Sequence, residues 1–538
     1  MPQPPIAGRP TRRRLAPVAA LAAAALLASC SGESTPEQTA DGAPEGGTAV
    51  VALDNSVTCL DPQQATAFAG LLIVQHTVDQ LTYANPETAE LEPWLASEWS
   101  VNEDSTEFTF TLREGVTFSD GSDLDADAVA RNLTEIAALG ASSQLGSSYL
   151  AGFTGASAES GQVVVTFEEP NAQFLQATST TTLGILSEAS YDNTPEERCL
   201  GSFSGTGPFT VESFAPDSEA VIERRSGYDW APASIAHSGD ARLERIEFPI
   251  VLEAGVRTGL LTSGQADAVA GVFREDEASF QNDDYWLQAR ANPGFTNSLV
   301  VNERSEILAD PAVREALQVA IDRQEVVDAV SSSTAVAATG LLTSTAPFAT
   351  DYSDLLTLDV DRANELLAGA GWVAGEDGVR VKEGVRLSLR VVHFPAQSEL
   401  VALLNQQFHT VGAELVSEVI DPAQREEIEA AGNFDLLQRN LTRADPDVLR
   451  NQLGFAYSNY LYRDAPDELD ELLDAQAATT DVQARQALVD EIQERVLGDN
   501  LVWPVSELTQ VFAGSAALQG THLDSSSRLN LYTAWLED

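Results

Sequence analysis

At 538 residues the chain is too long for one compact core, and two or three lobes are expected. A hydrophobic content of 43% and an aromatic content of 7% exclude a largely disordered protein. With 82 Asp+Glu against 30 Lys+Arg and a formal net charge of −52, the chain repels phosphate backbones, and no basic patch interrupts the pattern, so nucleic acid is excluded as a partner. The acidity fits solubility in a salty or exported setting; attraction of a cationic solute is the alternative. Lys382 is the only lysine, so arginine carries nearly all the positive charge.

The chain opens with Arg12-Arg13-Arg14, an apolar run from Leu15 to Leu27, and Leu27-Ala28-Ser29-Cys30. A charged head, a short apolar core and small residues before a cut mark residues 1–29 as a secretory signal. The run is shorter than the roughly 20 residues that spanning a bilayer takes. Thr11-Arg12-Arg13 weakly suggests twin-arginine export. Leucine three positions before cysteine resembles the bacterial lipobox, which implies a diacylglycerol on the Cys30 thiol; an ordinary signal with a chance cysteine is the alternative. Residues 30–47, rich in Ser, Gly, Pro, Thr and Glu without apolar period, are expected to form a flexible tether. No later stretch approaches spanning length, so acyl chains on one cysteine are the expected anchor. The place is the outer face of the cell membrane or the periplasmic space.

Folded structure is expected from Thr48 to Leu53, an apolar strand followed by Cys59-Leu60-Asp61-Pro62, and then a helix over 65–81. Next comes LEPWLASEWSVNEDSTEFTFTLREGVTFSDG, Leu91 to Gly121. Within it Phe108, Phe110 and Leu112 alternate with Thr109 and Thr111, the period of a strand with one buried face. Asn102-Glu103-Asp104-Ser105 before it and Glu114-Gly115 after it are turn chemistry. The ordered series Leu95-Ala96, Trp99, turn, Phe-x-Phe-x-Leu-Arg, Gly115-Val116-x-Phe118, Asp120-Gly121 resembles the signature of family 5 extracellular solute-binding proteins, the peptide- and nickel-type receptors of ABC importers. The opening strand with Leu-Asp-Pro also fits that family.

Leu124 to Val129 is a capped helix entry, apolar through Leu133 and Ile136. Gln162 to Phe167 is a strand. Gly205-Thr206-Gly207-Pro208-Phe209, a further family marker, precedes strands at 210–214 and 220–225; it lacks the Gly-Lys-Ser/Thr of a phosphate loop and is read as tight backbone turning. Gly264 ends a helix begun near Arg257, and the resemblance puts the first crossover between lobes near Ala291 to Gly294. Ala312 to Val330 reads as one long amphipathic helix opened by Asp310-Pro311. Its Ala320-Ile321-Asp322-Arg323 is again a family string. A second helix runs from Asp359 to Gly371-Trp372. Strand 387–393, helix 400–411 and strand 414–419 form an α/β unit. Asp481 to Leu497 is the last helix, and Leu501 to Val505 is expected to carry the chain back to the first lobe.

The resemblance implies a bilobal, type II-like periplasmic-binding-protein fold of class α/β, with two mixed lobes and an extra subdomain in the first. The expected division is residues 48–290 plus 503–538 for lobe I and 291–502 for lobe II. Cys59 and Cys199 are an even pair in an exported chain and flank landmarks of the family's first lobe, so a disulfide is expected, with two separate buried thiols as the alternative.

Catalytic patterns are absent from the sequence. His76, His237, His393, His409 and His522 lack the spacing of metal ligands, and Phe203 stands where a Gly-x-Ser-x-Gly nucleophile would. No catalytic residue, metal or cofactor is expected, and the chain is not read as an enzyme. What remains is capture of a small solute by closure of two lobes. In peptide-binding members an aspartate four residues before the matching proline pairs with the peptide ammonium. Here Pro446 sets the register and that position is Thr442. The candidate binding residues are therefore Arg439, Thr442, Arg443 and Asp445, with either arginine able to hold an anionic group of a modified peptide or other solute. Neutralising local aspartates such as Asp445 and Asp447 is the alternative role. The expected partners are a small peptide or peptide-like solute, an ABC permease–ATPase complex and the membrane through the lipid, with the protein acting as a monomer. A sensory receptor of the same fold, or a binder of nickel or another small solute, is the rival reading; a secreted hydrolase lacks its motifs.

Overall fold

The computed structural model describes residues 42 to 537 except 331, 422 and 423, so the signal, Cys30 and most of the tether lie outside the described residues. Hydrogen-bonded contact begins just ahead of the first strand: the Arg242 guanidinium donates to Ala43, and the Gly46 N–H donates to the Arg242 carbonyl.

Two mixed sheets organise the chain from Thr48 onward. The first has seven strands in the order Tyr285–Ala291, Thr509–Ser515, Ala268–Ala270, Thr48–Ala52, Arg245–Pro249, Glu219–Arg224, Phe209–Ala215. Thr48–Ala52 is parallel to both its neighbours and the other pairs are antiparallel. The second has five strands in the order Glu414–Val419, Ser388–His393, Leu436–Thr442, Gly294–Val301, Val502–Ser506. Here successive residues face opposite sides, and both sides are packed. Leu299, Val301, Val391, Leu436, Trp503 and Val505 enter one core, while Val300, Val392, Leu437 and Val502 enter the other. A separate antiparallel sheet, Ala96–Val101, Glu107–Leu112, Gln162–Phe167, Phe153–Glu159, carries the signature stretch. Phe108 and Phe110 are fully buried, and Phe108, Phe167 and Phe174 stack with ring centroids 5.0 to 5.7 Å apart. The helix Ala126–Leu139, capped by the Asp125 carboxylate on the Ala128 N–H, packs on this sheet.

The chain passes between the two mixed sheets twice. It leaves the first at Ala291, enters the second at Gly294, and returns between Ser506 and Thr509. The outward change of sheet spans residues 291–294. The return comes later than Leu501 to Val505, because Val502–Ser506 is itself a strand of the second sheet, paired with Gly294–Val301. Gly294 cannot be another residue: it sits at φ +141°, and a Cβ would lie 2.2 Å from the Leu441 carbonyl oxygen.

Two expected helices are shorter than their apolar patterns. The stretch read as 65–81 is helical only from Phe68 to Val74. The carbonyls of His76 and Thr77 are claimed by the N–H groups of Phe209 and Gly207, so they cannot serve a continuing helix. Gly205 and Gly207 permit this approach, since a Cβ on either would meet the 76–77 backbone at 2.1 to 2.7 Å. Close packing, more than turning, explains that glycine string. The stretch 312–330 is two helices, Pro311–Gln318 and Arg323–Val330. Asp322 accepts from the Glu325 N–H and restarts the helix, while the buried Arg323 guanidinium is held by the carbonyls of Pro504, Ile321 and Leu356. Helices Val360–Gly369 and Val482–Gly498, capped by Asp359 and Asp481, and the unit Ser388–His393, Ser398–Thr410, Glu414–Val419 match expectation within two or three residues. Helix Glu468–Ala477 was not foreseen.

Cys59 and Cys199 are joined by a disulfide, with Cα atoms 4.2 Å apart. Beside it the buried Arg198 Nε donates to Asp61 at 2.8 Å, and the Leu60 N–H donates to the Cys199 carbonyl. No helix among the described residues is long and apolar enough to cross a membrane.

Candidate functional site

The two changes of sheet lie side by side. The Asn292 N–H donates to the Leu508 carbonyl at 2.7 Å, and the Asn292 side-chain amide donates to the Thr442 hydroxyl at 3.0 Å. Glu507, buried in the return crossing, accepts from the Ser344 N–H at 2.7 Å and its hydroxyl at 2.8 Å, and burial raises its pKa.

Around these crossings opens a cleft of about 970 Å³ walled by both sheets. Asp54 and Gly271 to Glu275 come from the first; Asn297, Gln397 and Glu399 come from the second. Leu508 to Val511 of the return segment form its floor. Phe273 is 56% exposed there, a large apolar ring in position to cover a guest. Its lining holds the carboxylates of Asp54, Glu275, Glu399 and the hydrogen-bonded Glu507 and one basic residue, Arg274, whose guanidinium donates to the Val327 carbonyl of the opposite half. Glu277 makes a second tie here, accepting from the Ser332 hydroxyl and the Ser333 N–H. A hollow of about 620 Å³ near Asn302 and Asp435 touches the second sheet only and is not bounded by both halves.

At the other side of the crossings the halves touch directly. The Ala172 N–H donates to the Ala477 carbonyl, and the Ser105 hydroxyl donates to Ala478. Arg443, just past the end of strand Leu436–Thr442, donates from Nη2 to the Ser148 hydroxyl at 2.6 Å and lies 5.1 Å from the ring centre of Tyr149. Tyr149 ends the short helix Gln144–Tyr149 packed with the first sheet's core.

The four sequence candidates thus part company. Arg439 is turned inward: it is ion-paired to Glu429 at 3.2 Å and stacked on Tyr460 at 4.1 Å, and burial lowers its pKa. Asp445 accepts both Nη atoms of the buried Arg485, at 2.6 and 2.9 Å. Asp447 pairs with Arg450 at 2.7 Å. Thr442 stands at the crossing with Asn292, and Arg443 reaches across to the other half. Arg528, Arg290 and Phe68, which the sequence did not single out, lie beside the outward crossing. Arg528 lies 5.8 Å from the ring centre of Phe68, and Arg290 pairs in the ladder with Gln510 of the cleft floor. Nothing local marks them, because their neighbours are hundreds of residues away in sequence.

Two of the histidines are buried in the fold. His76 is buried, accepts from the Leu531 N–H through Nε2, and is pushed by burial down to about 4. His393 is buried between Phe394 and Ser417. Among the described residues no group of three His, Cys, Asp or Glu is placed to hold a metal ion.

Comparison with known proteins identifies this architecture. The glutathione-binding protein GsiB of Escherichia coli K12 is 25% identical over 328 residues, 61% of this chain and 62% of the relative. The crystal structure of NikA from Brucella suis in complex with Fe(III)-EDTA matches 91% of the chain and 100% of its own with a TM-score of 0.79 and 21% identity. The oligopeptide-binding protein AppA of Bacillus subtilis, in complex with a nonapeptide, matches 92% and 100% with a TM-score of 0.71 and 17% identity. These likenesses establish the bilobal α/β fold of periplasmic solute-binding proteins. The model of bacterial extracellular solute-binding proteins, family 5 Middle, matches residues 90–460, well over half of the chain, and the protein belongs to that family.

Proposed function

We propose that the protein is a lipid-anchored receptor that captures a small peptide or peptide-like solute between two lobes and hands it to an ABC permease and its ATPase. The proposed lobes are residues 48–290 with the segment beyond the return crossing, and the residues between the crossings. The observation that carries this reading is the cleft of about 970 Å³ walled by both sheets and floored by the crossing segment. A guest touching both walls favours the closed arrangement by its differential contacts, and closure is what a permease can read. Two of the likenesses support the solute class: one relative is a glutathione-binding protein, and one structure of this fold holds a nonapeptide. Lipidation of Cys30 and a place outside the cell membrane complete the proposal, since a tethered receptor stays near its permease.

Native mass spectrometry of the purified protein, followed by a thermal-shift panel of short peptides and small solutes, tests this. A solute at 100 times its Kd adds about 2.7 kcal/mol of stability and a clear rise in Tm. A panel with no shift, from a protein that purifies without a guest, counts against it. Replacing Cys30 by serine is expected to release the protein from the membrane fraction.

A further inference from the structure

In a chain with 82 Asp+Glu and 30 Lys+Arg, a buried arginine has many carboxylates to choose from. Half of the eight buried arginines among the described residues use one. Arg198 pairs with Asp61, Arg439 with Glu429, Arg463 with Asp470 and Arg485 with Asp445. Arg257 and Arg323 instead donate to backbone carbonyls, four and three bonds respectively. Either solution offsets the cost of taking a guanidinium out of water.

Arg443 and Arg528 have neither. Arg443 is 5% exposed; its one hydrogen bond goes to the neutral Ser148 hydroxyl, and its Nε is buried without a partner. Arg528 is 9% exposed, its Nε is likewise buried without a partner, and its guanidinium donates no hydrogen bond among the described residues. Both flank the outward crossing: the Arg443 N–H donates to the Pro293 carbonyl at 2.9 Å, and the hydroxyl of Ser527, next to Arg528, donates to the Ala291 carbonyl at 2.7 Å. The acid acting on Arg528 is Asp524, and its Oδ1 is already taken by the N–H groups of Ser526 and Arg528. Arg290, half-buried and with an unpartnered Nε, adds positive charge on the side of the cleft floor. Two desolvated guanidinium groups with unused donors, where the halves meet, are the complement of a carboxylate, which accepts two N–H bonds from each fork. The cleft on the other side of the crossings carries the opposite sign in Asp54, Glu275 and Glu399.

We propose that Arg443 and Arg528 form a carboxylate subsite that docks the free acid end of the solute, whose amine end runs along the crossings toward Asp54, Glu275 and Glu399. The proposal rests on the reading of the protein as a receptor for peptide-like solutes. Thr442, with no charge to offer an ammonium group, is then a neutral neighbour of the acid end.

Isothermal titration decides this with four probes: a pool of di- to pentapeptides with free termini, the same pool N-acetylated, the same pool C-amidated, and short dicarboxylic acids without amide bonds. C-amidation is expected to weaken binding at least tenfold and N-acetylation by less. Arg443→Gln and Arg528→Gln are each expected to weaken the free pool about tenfold while leaving the C-amidated pool unchanged. Equal binding of free and amidated pools, a larger loss on acetylation, or folded arginine variants with unchanged affinity each overturn the subsite while leaving the receptor reading intact. Where a variant does not fold, the wild-type series alone decides. Arginine-dependent binding of dicarboxylic acids with no binding of any peptide pool upholds the subsite and removes the peptide reading. Binding of none of the four removes both.

Discussion

Arg443 Nη2 and Ser148 Oγ are 2.6 Å apart, and the bond between them joins the end of a strand in the five-stranded sheet to the helix Gln144–Tyr149, which packs on helix Ala126–Leu139 in the other half. It holds the two halves together on the side away from Glu277 and Ser333. A hydrogen bond to a charged group contributes about 1.5 to 3 kcal/mol. Ser148→Ala is therefore expected to shift the empty protein toward an open arrangement about ten- to a hundredfold. Small-angle X-ray scattering should record a larger radius of gyration with an unchanged circular dichroism spectrum. Identical scattering curves would show that this bond does not hold the halves together.

Asp445 and Arg485 are both buried and joined by two hydrogen bonds. Removing one member of such a pair leaves an uncompensated charge and costs about 3–5 kcal/mol. Arg485→Ala is expected to lower the urea midpoint accordingly. Asp445→Asn is expected to be milder, because the amide oxygen still accepts one bond. If Asp445→Asn instead leaves stability unchanged and weakens solute binding, Asp445 belongs to the site after all.

The Cys59–Cys199 bridge closes a loop of 140 residues. In the chain-entropy description a loop of that size stabilises the folded state by up to about 5 kcal/mol. Thiol titration of the denatured, unreduced protein is expected to find neither cysteine free. The Cys59→Ser/Cys199→Ser double variant is expected to unfold at a clearly lower denaturant concentration.

Asp79 and His76 give opposite pH slopes. Asp79 is buried, accepts from Trp230 Nε1 at 2.8 Å, and burial pushes its pKa up to about 6. Folding then favours its protonated form, so the contribution is full below the unfolded pKa near 4 and is lost as pH rises to about 6. His76, pushed down to about 4, favours the neutral form, and its contribution is lost as pH falls from about 6.5 to about 4. Asp79→Asn removes only the first effect. Urea stability of this variant is expected to rise more steeply than that of the wild type between pH 4 and pH 6. Parallel curves would mean that Asp79 titrates normally.

What the sequence revealed was local. Glu107–Leu112 and Gln162–Phe167 follow from alternation between turn residues, and the caps Asp125, Asp359 and Asp481 sit where the helices begin. The crossover at Asn292 came from the family resemblance, which carries information no periodicity holds. The misreadings share one cause. The apolar pattern through 65–81 continues past Val74, but contacts with Gly207 and Phe209, more than 120 residues on, end the helix. The apolar series through 312–330 runs across Asp322, whose side chain caps a new helix. At the candidate site, residue type suggested Arg439 and Arg443 equally. Only tertiary pairing separates them, because Glu429 and Tyr460 fold onto the first, while the second makes no ion pair among the described residues and bonds to Ser148.

The arginines enclosed between the halves sit inside a body whose formal net charge is −52. An anionic guest approaching from solution meets repulsion over roughly a screening length, about 8 to 10 Å at physiological ionic strength, and attraction only after it has entered. Added salt should thus speed the capture of an acidic solute, the reverse of ordinary steered association. Once the halves have shut, the sheltered guanidinium groups are beyond the reach of that screening, and the rate of escape should hardly change.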